Sequence, residues 1–280
     1  MKFLRYGPKG KEKPGLLDED GVIRDLSKVV KDITPETLPD LLTKIKKVNL
    51  ARLPKVTGKP RLGSCITGSQ KFIAIGLNYF DHAAESGLAV PPEPVVFTKQ
   101  MSCLSGPNDA IIVPRGSLKT DWEVELGVII GRKAKYVAEK DAMKYVAGYC
   151  VVNDISERAW QTERAGQWTK GKSADSFGPI GPWLVTRDEV KNPQKLHLWL
   201  ELNGKMVQNG STEKMVYGVA HIVAYLSNFF TLMPGDIITT GTPPGVGMGM
   251  KPQRFLKGGD SMRLGIEGLG EQRQKVVQEK

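Results

Sequence analysis

The 280-residue sequence has no run approaching the roughly 18 consecutive apolar residues that a membrane span requires, so no membrane association is expected. Its opening, MKFLRYGPKGKEKPG, lacks the apolar core of a secretory signal, and a cytoplasmic location is expected. Cysteine is scarce. Cys65, Cys103 and Cys150 are odd in number and widely spaced, which argues against a disulfide framework or a cysteine-based zinc site. They fit small buried side chains in a reducing compartment. Aromatics are only 7% of residues, and zinc-finger, RNP-type and helix-turn-helix patterns are missing. The formal charge of +10 is scattered, its longest run being Lys44-Ile45-Lys46-Lys47. It is therefore read as a solvated basic surface suited to anionic small molecules, with no nucleic-acid partner. There is no internal repeat and no low-complexity block.

What is present suits a globular protein: 40% hydrophobic and 25% charged residues, over a length that predicts two domains or one large domain with an N-terminal appendage. Residues 1–65 read as a small N-terminal domain with its linker, and 66–280 as the catalytic domain. In the first part, apolar islands (Phe3-Leu4, Leu16-Leu17, Val22-Ile23) alternate with turn pairs Pro14-Gly15 and Asp20-Gly21, predicting short strands. Thr34 to Leu42 predicts a helix with Pro35 in its first turn. Val56 to Ser69 reads as the linker. Beyond it the pattern is β-dominated, with strands predicted at 72–75, 110–113, 124–130, 196–202 and 237–240. Asn203-Gly204 signals a hairpin, and helical spacing of apolar residues predicts an amphipathic helix over 218–231. The stretch 156–181 reads as a long loop.

Four constellations carry chemistry. Glu123 and Glu125, two apart on an apolar strand, point to one face. Paired carboxylates there repel and lose hydration, which a hard divalent cation such as Mg²⁺ or Mn²⁺ relieves. An exposed edge strand with two solvated glutamates fits the same spacing. Asp154 ends the apolar run Tyr149–Asn153, as a third ligand or as a cap of the next helix. On a helical turn His82 and Glu85 share a face, as a general base and its orienting carboxylate or as a surface pair. Lys172 sits among turn formers in GKSADSFGP, where it could meet a substrate carboxylate. The glycines of TGTPPGVGMG (240–249) would bring backbone N–H groups close to an anion, but no P-loop lysine follows. His197 and His221 read as structural.

Together, IGLNYFDHAAE (75–85), DWEVELGVIIG (121–131), VVNDISER (151–158), KSADSFGPIGPW (172–183) and TGTPPGVG (240–247) resemble the fumarylacetoacetate hydrolase superfamily, over roughly Phe72 to Lys275. The resemblance implies a β-rich α+β fold, a mixed β-roll preceded by the small N-terminal α/β module, in a homodimer or a dimer of dimers. It implies Glu123, Glu125 and Asp154 as ligands of Mg²⁺ or Mn²⁺, and His82–Glu85 as a lid-borne acid/base dyad. Arg158, Gln161, Lys172 and Thr242 match positions that hold the pyruvate-like end of a 2-keto acid substrate or orient water. The N-terminal module and WQTERAGQWTKGKSADSFGPIGPW resemble a branch whose members are 2,4-diketo-3-deoxy-L-rhamnonate or L-fuconate hydrolases or ureidoglycolate lyases. Hydrolysis of the sugar acid to pyruvate and L-lactate is expected. The lyase, acylpyruvate hydrolysis, oxaloacetate decarboxylation and hydroxyheptadienedioate isomerisation are the alternatives.

Overall fold

Val124–Ile130 and Val146–Asn153 are nearly unbroken apolar runs, and such runs belong in a sheet covered on both faces. Every residue of both is buried. The computed structural model describes residues 1–85 and 89–279, and the side chains of 82–84 lie outside the described set.

The chain begins with strands β1 (Lys2–Tyr6), β2 (Lys13–Leu17) and β3 (Ile23–Asp25) and helix α1 (Leu38–Lys44). Next come β4 (Phe72–Gly76), α2 (Phe80–Glu85), β5 (Val95–Lys99), β6 (Leu104–Ser105), β7 (Ile111–Val113) and β8 (Thr120–Asp121). The central part supplies β9 (Val124–Ile130), α3 (Glu139–Ala142), β10 (Val146–Asn153) and β11 (Ser156–Glu157). Helices α4 (Arg158–Thr162) and α5 (Thr169–Lys172) then lead into β12 (Gly178–Thr186). The hairpin β13 (His197–Leu202) and β14 (Lys205–Ser211) precedes α6 (Val219–Phe229). Strands β15 (Ile237–Thr239), β16 (Ser261–Ile266) and β17 (Gly270–Gln278) complete the order.

A ten-stranded mixed sheet runs β3-β2-β1-β12-β10-β9-β15-β4-β5, with β6 attached to β12. A five-stranded sheet, β14-β13-β16-β17-β7, packs beside it. Buried amides tie the two together: Gln272 donates to the Val151 carbonyl at 2.8 Å, and Asn153 donates to Gln274 Oε1 at 2.8 Å. This is the β-rich α+β architecture expected. The N-terminal strands extend the large sheet through β1, which pairs antiparallel with β12. The stretch 56–69 is docked along β1, with Gly63 N–H on the Arg5 carbonyl at 2.8 Å and Cys65 and Ile66 buried. All three cysteines are free and buried. No helix among the described residues is long and apolar enough to cross a membrane.

Three local expectations change. Pro14-Gly15 lies inside β2, not at a turn; Pro14 falls beyond the last β3 rung at Gly15, so no ladder donor is lost there. The first helix starts later than Thr34. Thr37 Oγ1 donates to the Asp32 carbonyl at 2.6 Å and holds 34–37 as a separate turn, and the helix begins beyond it with Pro39 in its first turn. The stretch 156–181 is not one long loop, since it folds into β11, α4, α5 and the start of β12.

Candidate active site

Strand β9 lies between β10 and β15, so it is no edge strand. Glu123, just before it, and Glu125, its second residue, are 5% and 2% exposed. The Asp154 N–H donates to the Glu123 carbonyl at 2.9 Å, placing that third carboxylate at the same end of the sheet. Asp154 does not cap the next helix; Glu157 does, accepting from Ala159 N–H at 3.1 Å. One ligand oxygen from each of Glu123, Glu125 and Asp154 lies within 4.8 Å of the others.

These acids are buried with cations around them. Lys172 Nζ donates to Glu123 Oε2 at 2.7 Å and to Asp154 Oδ2 at 2.8 Å. Arg158 Nη1 pairs with Glu123 Oε1 at 2.7 Å, and its Nε pairs with Asp121 Oδ2 at 2.8 Å. Lys99 Nζ reaches Asp154 Oδ1 at 2.5 Å and also donates to the Lys172 carbonyl. Burial lowers the tendency of Lys172 to hold its proton, but the attraction of Asp154 and Glu123 outweighs it and holds the ammonium above its ordinary pKa. Burial pushes the Glu125 carboxyl well above the carboxylate range, and the charges of Asp154 and Glu123 push it further. Asp121, Glu123, Glu125 and Asp154 thus outnumber Lys99, Arg158 and Lys172. A divalent cation on this all-oxygen set removes the repulsion, and the donors suit Mg²⁺ or Mn²⁺. The residues present fit the metal.

The glycine-rich segment performs the anion-binding expected of it, on anions that belong to the protein. Gly241 N–H donates to Glu125 Oε2 at 2.7 Å and Gly245 N–H to Glu85 Oε1 at 3.0 Å. Gly247 and Met248 N–H groups hold the two Asp121 oxygens at 2.7 and 3.0 Å. Above the acids is a cavity of about 80 Å³, walled by Phe97, Trp168 and Met248 and floored by the carboxylates, Lys172 and Arg158. Gln161 and Thr242 also line it. Gln161 Oε1 accepts from Arg158 Nη1 at 3.1 Å. The Thr242 hydroxyl is occupied, donating to the Val124 carbonyl at 2.9 Å and accepting from Gln208 at 2.8 Å. Arg158 Nη2 is buried with no partner among the described residues.

His82 falls on α2, but its side chain lies outside the described residues; Glu85, on the same helix, is seated at Gly245. His197 and His221 do not line the cavity and instead bond Asn209 at 2.6 Å and Glu139 at 3.0 Å. Lys99 and Trp168 are site residues that sequence reasoning did not single out. The alternation of β5, with Phe97 and Lys99 buried and Val96 and Thr98 exposed, is the signal that places Lys99 beside Phe97.

A buried carboxylate triad able to hold a divalent metal, ringed by fixed cations at one end of a mixed β-roll, defines the class: a protein with a small pocket built around a candidate metal site. The family model "Fumarylacetoacetate (FAA) hydrolase C-terminal" matches residues 71–277, and the chain belongs to the fumarylacetoacetate hydrolase superfamily. A protein of Burkholderia orbicola (strain MC0-3), named no more specifically than as a hydrolase, is 63% identical over 278 residues, 99% of each chain. The fumarylacetoacetate hydrolase of Exiguobacterium antarcticum is 33% identical with a TM-score of 0.87, covering all of both chains. The maleylpyruvate hydrolase of Sphingobium sp. SYK-6, solved with manganese(II) and pyruvate, is 28% identical with a TM-score of 0.82, again over all of both chains.

Proposed function

We propose that this enzyme hydrolyses the C3–C4 bond of a 2,4-diketo-3-deoxy sugar acid, derived from L-rhamnonate or L-fuconate, to pyruvate and L-lactate. The observation that carries the reading is the buried triad bridged by Lys172, with an unpartnered Arg158 N–H beside it. The maleylpyruvate hydrolase likeness, with its manganese and pyruvate, supports it. Glu123, Glu125 and Asp154 would hold Mg²⁺ or Mn²⁺, which would supply a Lewis acid to the 2-keto acid end of the substrate.

The chain's own residues do the rest. The free N–H of Arg158 is a donor for the substrate carboxylate, and Gln161 steadies that guanidinium. His82, oriented by Glu85, takes a proton from water as its oxygen attacks the C4 carbonyl. The C3–C4 electron pair passes into the pyruvate enolate. Lys172 stabilises that charge as a fixed ammonium in a water-poor site, and C3 then takes a proton. Trp168 and Met248 present an apolar wall to the lactate-forming end.

The test follows pyruvate from 2,4-diketo-3-deoxy-L-rhamnonate with Mg²⁺ or Mn²⁺, in a coupled lactate dehydrogenase assay with and without EDTA. Acetylpyruvate, oxaloacetate and ureidoglycolate run in parallel. EDTA-sensitive release well above that from acetylpyruvate is expected. Glyoxylate and urea from ureidoglycolate would replace the hydrolase by the lyase, and faster acetylpyruvate or oxaloacetate turnover would move the substrate to that class.

A further inference from the structure

Helix α6 and its lead-in carry aromatic rings every four residues: Tyr217, His221, Tyr225 and Phe229. Tyr217 and His221 stack at 5.1 Å, His221 and Tyr225 at 6.2 Å, and Tyr225 meets Phe229 edge-on at 4.9 Å. A surface helix has no need of four adjacent rings for burial, and Phe229 is 61% exposed. The polar ends of the ladder show what it holds. The Tyr217 hydroxyl donates to the Pro91 carbonyl at 2.6 Å, and the Tyr225 hydroxyl donates to Glu93 Oε2 at 2.9 Å. The same lead-in grips the chain on the other side of α2. Tyr217 N–H donates to Asn78 Oδ1 at 2.9 Å, Asn78 Nδ2 donates to the Tyr217 carbonyl at 3.0 Å, and Val216 N–H donates to the Asn78 carbonyl at 2.9 Å. The backbone entering α2 and the backbone returning after it are therefore fastened to one rigid element. At the far end of α2, Glu85 accepts from the Gly245 N–H and so reaches the segment that also holds the site acids.

We infer that Tyr217 and Tyr225 are positioning residues: their hydroxyls form a clasp that holds α2, and the acid/base pair it carries, against the carboxylate site. This rests on the reading of His82–Glu85 as that pair. Neither tyrosine lines the site cavity, so both act through the chain they hold, Tyr217 at the Pro91 carbonyl and Tyr225 at the Glu93 side chain. The clasp sets the fraction of time the pair is in place without contributing to the binding of the keto acid end.

Tyr217→Phe and Tyr225→Phe remove one hydroxyl each and keep the ladder, and Glu93→Gln weakens the second bond from its other partner. Losing one neutral hydrogen bond shifts a local equilibrium about fivefold. Amide exchange across Phe80–Glu85 should accelerate about fivefold in Tyr217→Phe and more in the double variant, with the melting temperature within about 2 °C of wild type. On the substrate that the wild type turns over, kcat should fall by a similar factor with KM unchanged. Unaltered exchange in α2 of the double variant overturns the clasp, and so does a loss carried by KM. If the wild type cleaves none of the 2-keto acids tested, the substrate assignment fails, and the exchange data alone still decide the clasp.

Discussion

Two buried lysines sit within reach of Asp154, and their contacts separate their roles. Lys172 spans two triad carboxylates and lines the cavity, whereas Lys99 lies beneath, on Asp154 and two backbone carbonyls. Lys172→Met should lower kcat/KM by about 10²-fold or more, as loss of a donor to a developing charge does, while Mn²⁺ titrated by calorimetry still binds. Lys99→Met removes one partner of a buried ion pair, an event that costs about 3–5 kcal/mol. The variant's melting temperature should drop by several degrees in EDTA and recover with Mn²⁺, because the dication restores the charge that the lysine supplied. A metal-independent melting temperature in both proteins would remove the metal from the triad. Lys172 drew notice in the sequence for its small, turn-forming neighbours, and its role came from the family resemblance. Lys99 was not, since its carboxylate partner lies 55 residues away.

At the scale of elements, the segment after β15 is the part most sensitive to a single methyl group. Gly241 adopts φ +95°, and a Cβ there would stand 2.8 Å from the Asn78 Cβ. Its N–H is also one of the two donors that fix Glu125 Oε2, with the Thr239 hydroxyl. Gly241→Ala should weaken Mn²⁺ binding by about 10–100-fold, the usual effect of disturbing a group that orients a ligand, and calorimetry would read it directly. Affinity equal to wild type would show that Thr239 alone suffices. The sequence displayed this segment's glycines but not their clients, because Glu85, Asp121 and Glu125 are distant in the chain. Strand β9 and the β13–β14 hairpin were legible because an apolar run and an Asn-Gly turn are local signals. Helices α4 and α5 span five and four residues, too few for a 3.6-residue period to show. Their placement comes from Arg158 and Lys172 reaching buried acids, which no local pattern encodes.

Across the whole molecule, the N-terminal strands join the rest of the large sheet through β1 on β12 and are tied to it further by the charges around Arg61. Arg61 binds Asp109 through two nitrogens at 2.7 and 2.5 Å and Glu12 at 2.7 Å, linking three distant parts of the chain. Burial raises both carboxyls, but the hydrogen bonds from Arg61 and the attraction of neighbouring cations prevail, and both are held below their ordinary values of 4.5 for Glu12 and 3.8 for Asp109. A carboxylate whose pKa is lower in the folded chain contributes stability that is complete above its unfolded pKa and is lost as pH falls towards the folded one. The melting temperature should therefore decline below about pH 4.5 as these acids take up protons. Arg61→Gln should start from a lower melting temperature at neutral pH and decline less steeply below pH 4.5, because it removes the guanidinium hydrogen bonds and charge that help to hold these two carboxyls low. Melting curves of both proteins from pH 3 to pH 7 would decide it. Parallel profiles would place the acid sensitivity elsewhere, such as the Arg254–Asp260 pair at 2.7 Å beside β16, whose carboxyl is likewise held low. The divergence expected here would show that this junction, and not the sheet pairing alone, holds the N-terminal strands to the rest of the chain at neutral pH and is lost in acid.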